Sequence, residues 1–381
     1  MNNLSQEEAE VIQYVRRFAN EEVKPLAKEI DIKMEVPDKL IKRMHELGLF
    51  ASYIPKEYGG YGMSFSFLAS VIEELSKACP STALVLDGAL TLFAEPVLMF
   101  GSEELKKKYL TRVVNGEIGG LALTEPGAGS DAAAIRTTAQ KVGSDYVING
   151  TKIFISNGRL ARFYVVDVVT DPERKHKGIS TFVVDAETPG LKISRDIHKL
   201  GIRGSSTVEL VFENVKVPES NLVGKLNEGF KVVMDTLDAG RIGMDAQALG
   251  IAEGALDEAI KYAAQRKQFG KPITDFEGIQ FMIADMGTQI EAARLLVYEA
   301  AARWDRHEDC IKISSMAKLF ASDAAMKITT ESLQLFGGYG YTTDMDAERH
   351  MRDAKITQIY EGTNQIQRVI IARKMLEESG I

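Results

Sequence analysis

The pattern of apolar and polar positions changes twice along the chain, near residues 118 and 228. In residues 1–117 apolar positions recur at helical spacing: Val11, Val15, Phe18, Val23 and Ala27 make one stripe. The run 83–93 is too continuously apolar for a surface helix and predicts a buried one. Ser102 before Glu103 and Glu104 predicts a helix start with acids in its first turn. Residues 118–228 are rich in β-branched residues and turns. There 146–148 and 152–155 flank Asn149-Gly150, the signal of a tight hairpin. Further strands are expected over 163–170, 179–185, 191–194 and 207–211, and their close spacing predicts a compact antiparallel barrel or sandwich.

From residue 229 to 381 long helices return. Leu249, Ala252, Leu256, Ile260 and Ala263 form one stripe, ended by Gly270 and Pro272. Thr274-Asp275-Phe276-Glu277 reads as a capping box for the next helix, which runs to about Trp304 and spans roughly 40 Å. A third helix is expected over 311–336 and a last one from Thr363. The fold class is α+β, mostly α: an N-terminal helical domain (1–117), a central antiparallel β-barrel domain (118–228) and a C-terminal four-helix bundle (229–381).

Composition narrows the function. With 45% hydrophobic and 26% charged residues, the chain reads as a soluble globular protein. A net charge of -8 with no basic cluster argues against nucleic acid. No uninterrupted apolar run reads as long enough to span a bilayer, and the polar, acidic first residues do not read as a secretory signal. Cys79 and Cys310 have no motif spacing and are expected as reduced thiols in a cytoplasmic protein; the five histidines show no metal-ligand spacing.

The chemistry concentrates in a few segments. Ile359-Tyr360-Glu361-Gly362-Thr363-Asn364-Gln365 puts one carboxylate on a loop just before a helix that Thr363 can cap. Alone, it is a cap and a turn. The segment 121–131 contains Thr124-Glu-Pro-Gly-Ala-Gly-Ser130-Asp, whose glycines allow several amides to face a phosphate. Gly127 to Ala132 also fits the dinucleotide pattern G-x-G-x-x-A. Pro126 directly before it, the β structure after it and the lack of a suitably spaced acid exclude that reading. Phe154 and Ser156 in Lys152-Ile-Phe-Ile-Ser-Asn-Gly158 sit two apart on a strand, where a planar cofactor could rest on the ring and bond the hydroxyl.

Together with RKQFGKPI (266–273) and LQLFGGYGY (333–341), these five motifs occur in an order that resembles the acyl-CoA dehydrogenase family over essentially the whole chain, nearest to its short-chain, butyryl-type members. The resemblance implies an FAD-dependent, α,β-dehydrogenating enzyme that passes electrons to an electron-transferring flavoprotein and forms homotetramers with FAD sites at subunit interfaces. It implies that Thr124, Ser130, Phe154, Ser156, Thr363 and Gln365 contact FAD. Arg266, Phe269, Gln334, Gly337 and Gly338 would reach the FAD of a neighbouring subunit. Ser130, Asp238, Arg241, Tyr360 and Gly362 would help to hold acyl-CoA, and Glu361 would be the catalytic base. In some relatives the base comes from the position of Gly240, which carries no carboxylate here.

Asp87 departs from that pattern: it is an acid in a nearly all-apolar helix that the resemblance places beside the acyl pocket. A buried carboxylate needs a partner, a proton or a use. It is either a hydrogen-bonded structural acid or a second acid facing a polar or cyclic acyl group, as in similar enzymes acting on cyclohexane- or cyclohexene-carboxyl-CoA. Ala83, where glutaryl-CoA-oxidising relatives carry an arginine, argues against that dicarboxylic substrate. The alternatives to a dehydrogenase are a flavin oxidase or monooxygenase and a catalytically silent acyl-CoA binder.

Overall fold

A computed structural model describes residues 4–381. Seven helices come first: α1 Gln6–Phe18, α2 Ala27–Lys33, α3 Asp38–Glu46, α4 Phe65–Ala78, α5 Pro80–Ala89, α6 Glu95–Phe100 and α7 Glu103–Val114. Ser102 caps α7 by accepting from Leu105 N–H, as its sequence suggests. Between α5 and α6 the turn Leu90–Ala94 is π-helical. Pro96 has no N–H to continue the α-helical ladder, which accounts for the wider turn. By length and composition alone the stretch Pro80–Phe100 could cross a membrane, contrary to the sequence-based expectation; most of it is buried inside the protein, so it is a core helix.

Eight strands follow: β1 Ile118–Ala122, β2 Thr138–Val142, β3 Asp145–Ser156, β4 Ala161–Val169, β5 Ile179–Asp185, β6 Leu191–Asp196, β7 Thr207–Pro218 and β8 Leu222–Val223. They form one sheet in the order β6-β7-β3-β2-β4-β5-β8, with β1 added on β4. Most pairs are antiparallel, but β1 and β2 each meet β4 in parallel, so the sheet is mixed. Asn149-Gly150 is not a hairpin turn. β3 runs straight through it, and the extra twist is taken up as a register shift between Ile148 and Gly150 against β7. Asn149 is used sideways instead: its Oδ1 accepts from Asn214 N–H at 2.8 Å.

The long helices are α8 Gly229–Gln265, α9 Glu277–Asp305 and α10 Ile311–Phe336, followed by α11 Ala347–Thr357 and α12 Asn364–Glu378. A two-stranded hairpin, β9 Lys267–Gln268 with β10 Lys271–Pro272, joins α8 to α9. The expected capping box at Thr274 does not form; α9 begins after Phe276 with no side-chain cap. Thr363 does cap α12, accepting from Ile366 N–H at 3.3 Å.

The helices before and after the sheet share one core, which runs from Val15, Phe50 and Phe67 through Ala246 and Leu249 to Ile290 and Ile328. The sheet keeps a separate core around Tyr164, Phe182 and Phe212. Among the α4, α8 and α9 faces a buried ion network replaces apolar contact: Arg294 pairs with Glu73 and, at 2.9 Å, with Glu253, which Lys77 also meets at 2.9 Å.

Candidate active site

Glu361 lies on the loop between α11 and α12 with φ +52°, and Gly362 follows at +86°. Two successive left-handed residues turn the chain sharply and aim the Glu361 side chain back toward α8. Gly362 is needed for that turn, and because a methyl there would lie 2.6 Å from Gln367 Nε2. Gln367 returns the contact by donating to the carbonyls of Glu361 (3.2 Å) and Gly362 (3.0 Å). From α10, Lys318 Nζ donates to Asn364 Oδ1 at 2.6 Å, and Asn364 Nδ2 donates to Ser322 Oγ and Asp323 Oδ1. The loop is thus held from two helices.

The Glu361 carboxylate faces Gly240 on α8, where a side-chain carbon would stand 3.1 Å from Oε2 and 2.6 Å from Leu92 Cδ2. Oε2 is buried without a hydrogen-bond partner. Burial pushes the Glu361 carboxyl up to about 7, against the pull of Arg241 and Lys318. That value suits a group that must take a proton near neutral pH. Among the described residues the Glu361 backbone N–H also has no partner, which leaves a donor for an incoming carbonyl.

Asp87 is buried on α5, with the Thr91 hydroxyl 2.8 Å from Oδ1. Gly243 makes its space: a methyl there would come within 2.2 Å of Oδ1. Desolvation raises Asp87 to about 8; the Thr91 hydrogen bond opposes the shift, and the negative charge of Glu361 adds to it. Tyr360 is bonded through its hydroxyl to Gln247 Oε1. Asp238 and Arg241 are buried and pair with each other at 2.5 Å, with Arg241 also 3.5 Å from Ser314 Oγ.

The remaining expected residues fall in two places. Thr124 O accepts from Ile153 N–H at 2.8 Å, which joins the Thr124–Ser130 loop to the strand carrying Phe154 and Ser156. Phe154 has φ +60° at a register shift between Lys152 and Ile155, and this bulge turns its ring 60% into the open. Ser130 is exposed and Ser156 half-buried. Under the loop, Lys152 Nζ donates to Leu123 O (2.9 Å) and Glu125 Oε1 (2.8 Å), and Glu125 also accepts the N–H groups of Arg136 and Thr137. A cavity of about 310 Å³ opens beside it, between Glu125–Gly127, Arg136 and Thr151.

Arg266, Gly337 and Gly338 line a different cavity, of about 550 Å³, with Tyr262, Phe336 and Tyr339. Arg266 lies over the Tyr339 ring at 5.8 Å. Phe269 stands at the tip of the β9–β10 turn, 94% exposed with φ +52°. Gln334 and Gln365 are exposed. Neither of these two cavities is lined by Phe154 or Ser156. Lys152, Glu125, Lys318 and Gln367 escaped the sequence reading. Lys152 and Lys318 had as their signal a cation in an otherwise apolar stretch; Glu125 and Gln367, in polar segments, had none.

A helical frame with an inserted β sheet, an exposed aromatic beside a glycine-rich loop and a buried base define a flavin-dependent dehydrogenase of thioesters. The chain matches the acyl-CoA dehydrogenase N-terminal domain over residues 5–117, the middle domain over 120–215 and the C-terminal domain over 227–376. It belongs to the acyl-CoA dehydrogenase family, oxidoreductases that bind FAD. It is 47% identical to the short-chain specific acyl-CoA dehydrogenase of Clostridium acetobutylicum, over 98% of this chain and 99% of that one. The butyryl-CoA dehydrogenase structure from Megasphaera elsdenii superposes with a TM-score of 0.96 at 43% identity, over 98% of this chain and 99% of that one. A chain in a structure of the electron transferring flavoprotein of Acidaminococcus fermentans superposes at 0.97 with 47% identity, over 98% of this chain and 99% of that one.

The residues present fit FAD. The Phe154 ring is free to be covered, Ser156 adds a hydroxyl, and Gly127, Gly129, Gly337 and Gly338 have nothing within 4 Å of where a side chain would start, so backbone amides can approach a phosphate.

Proposed function

We propose that this enzyme removes the α proton and β hydride of a short acyl-CoA thioester, with Glu361 as the base. The carrying observation is the Glu361 carboxylate: buried and unpartnered at Oε2, and facing a glycine, Gly240, whose missing side chain is what leaves the carboxylate its place. FAD, when bound, accepts the hydride. The protein's part is to place and charge the base. Arg241 and Lys318 favour the carboxylate, burial favours the acid, and the balance near pH 7 lets Glu361 both take and release a proton. The Glu361 N–H is available to hold the thioester carbonyl while enolate charge develops.

The short, butyryl-like acyl group rests on the 47% identity to a short-chain specific relative. Transfer of electrons to an electron-transferring flavoprotein rests on the similarity to a chain from such a system. A homotetramer rests on the family resemblance; that the cavity lined by Arg266 and Gly338 does not include Phe154 or Ser156 fits a site completed by a neighbouring copy. Anaerobic flavin bleaching with a panel of straight, branched, cyclic and dicarboxylic acyl-CoAs tests the reading. Wild type bleaches with butyryl-CoA, and Glu361→Gln keeps its yellow colour but does not bleach. A Glu361→Gln variant with a near-normal rate sinks the assignment.

A second reading is favoured by Asp87. A straight four-carbon tail gains nothing from a buried carboxyl beside Glu361, whereas a six-membered ring presents further C–H groups to it. On this reading the acyl group is cyclohexane- or cyclohexene-carboxyl, and Asp87 is an extra acid in the pocket. Asp87→Ala then loses far more activity with cyclohexanecarboxyl-CoA than with butyryl-CoA. Equal losses, or none, remove the ring substrate.

A further inference from the structure

Lys318 is the one side chain that meets both the mechanical and the electrical needs of the base loop. It is fully buried on α10, a position that costs a lysine dearly unless the charge is used. Its Nζ donates to Asn364 Oδ1 at 2.6 Å, three residues beyond Glu361, and Asn364 is further tied to Ser322 and Asp323 of the same helix. We propose that Lys318 is a positioning residue for the base: its ammonium anchors the Glu361 loop through Asn364 and holds a positive charge toward the Glu361 carboxylate. This inference rests on Glu361 being the base.

The groups around it set the sign. Lys318 faces Asp245 and Arg241 from α8, Glu361 from the loop and Asp323 from its own helix. Glu361 in turn faces Arg241 and Lys318 as the cations, with Asp87 across the pocket on α5. Asp245 is wholly buried with neither oxygen hydrogen-bonded, between Arg241, Lys318, Asp87 and Glu361. Burial draws Lys318 down to about 8, while Asp245 and Glu361 hold it up, so it is charged at the pH where Glu361 must ionise. Arg241 is engaged by Asp238 at 2.5 Å, whereas Lys318 has no ion pair within 4 Å among the described residues. The charge of Lys318 is therefore the less neutralised of the two.

The test is the pH profile of anaerobic flavin reduction by butyryl-CoA in the FAD-loaded enzyme. Lys318→Met loses both the hydrogen bond and the charge; Lys318→Gln keeps a donor for Asn364 and loses only the charge. Loss of a nearby cation should move the acid limb of both variants up by about one pH unit, so that the rate one unit below the wild-type midpoint falls about tenfold and recovers at higher pH. Lys318→Arg should keep the wild-type limb. Since removing one member of a buried charged group can unfold a protein, flavin content and melting temperature are measured for each variant, and Lys318→Gln, which keeps a donor for Asn364, carries the test if Lys318→Met does not fold. An unmoved limb, or a loss equal at every pH, overturns the proposal. Glu361→Gln separates the two failures. If it is inactive at all pH values while the Lys318 variants keep the wild-type profile, the base stands and the role of Lys318 falls. If Glu361→Gln is active, the base assignment itself is wrong.

Discussion

Gly240 and Glu361 stand face to face across the pocket, with 3.1 Å between the carboxylate Oε2 and the point where a Gly240 side chain would begin. That clearance is tight for a carbon, and Leu92 closes the other side at 2.6 Å. Gly240→Ala should therefore leave a folded, flavin-loaded enzyme, helped by the better helix propensity of alanine, yet displace the base. Stopped-flow flavin reduction should slow by about ten- to a hundredfold, the scale of a misplaced catalytic group.

The position of Glu361 also sets a cost. Its carboxyl sits at about 7 in the folded protein against 4.5 as an ordinary glutamate. The folded state thus prefers the protonated form, and the associated stability is present below pH 4.5 and lost as pH rises through 7. The difference amounts to about 3 kcal/mol at pH 8. Glu361→Gln removes the titration and should raise the melting temperature at pH 8 more than at pH 5. Thermal denaturation at the two pH values checks this. The same charge argument makes wild-type flavin reduction rise with pH up to a plateau above about pH 8.

Within the ion network around Arg294, Glu253 has the opposite sign, while burial raises its neighbour Glu73. Glu253 is held down to about 2 by Lys77 and Arg294, despite its burial. Its contribution is present above the ordinary carboxylate range and is lost as pH falls toward 2. Arg294→Met leaves Glu73 and Glu253 without their shared cation and should destabilise the fold by about 3 kcal/mol. Urea denaturation at pH 7 measures it.

Lys152 supports the flavin loop from below. Lys152→Met strips Glu125 of its buried cation while Arg136 and Thr137 still donate to it. The loop should loosen, and FAD should dissociate about tenfold more readily. Flavin content after gel filtration is the readout. Retention equal to wild type would mean that the loop does not depend on this pair.

What could be read from the sequence follows from how local each signal is. The α7 start at Ser102 and the α12 cap at Thr363 depend on contacts within one turn, and both form. The strand Ile179–Asp185 is bounded and apolar throughout, and it appears with the same limits. Asn149-Gly150 misled because the same pair that favours a tight turn also tolerates a bulge, and only the pairing of β3 with β7 selects between them. Thr274 misled because a capping box needs a helix to begin beside it, and α9 begins later. Asp87 was conspicuous as an acid among apolar residues. Lys318 was not, because its meaning depends on Asn364 and Asp245, neighbours that only packing of α8, α10 and the base loop brings together.

The single core shared by the first and last thirds of the chain bears on how the protein is made. The apolar stretch Pro80–Phe100 leaves the ribosome long before α8, its main cover, has been translated. At ordinary synthesis rates the delay is on the order of ten seconds, during which the face of this helix that α8 will cover lacks its native partner. The intervening β sheet, with a core of its own, can fold in that interval and hold the two helical halves near each other. A nascent chain stalled before α8 should therefore bind chaperones that a chain stalled after α10 does not.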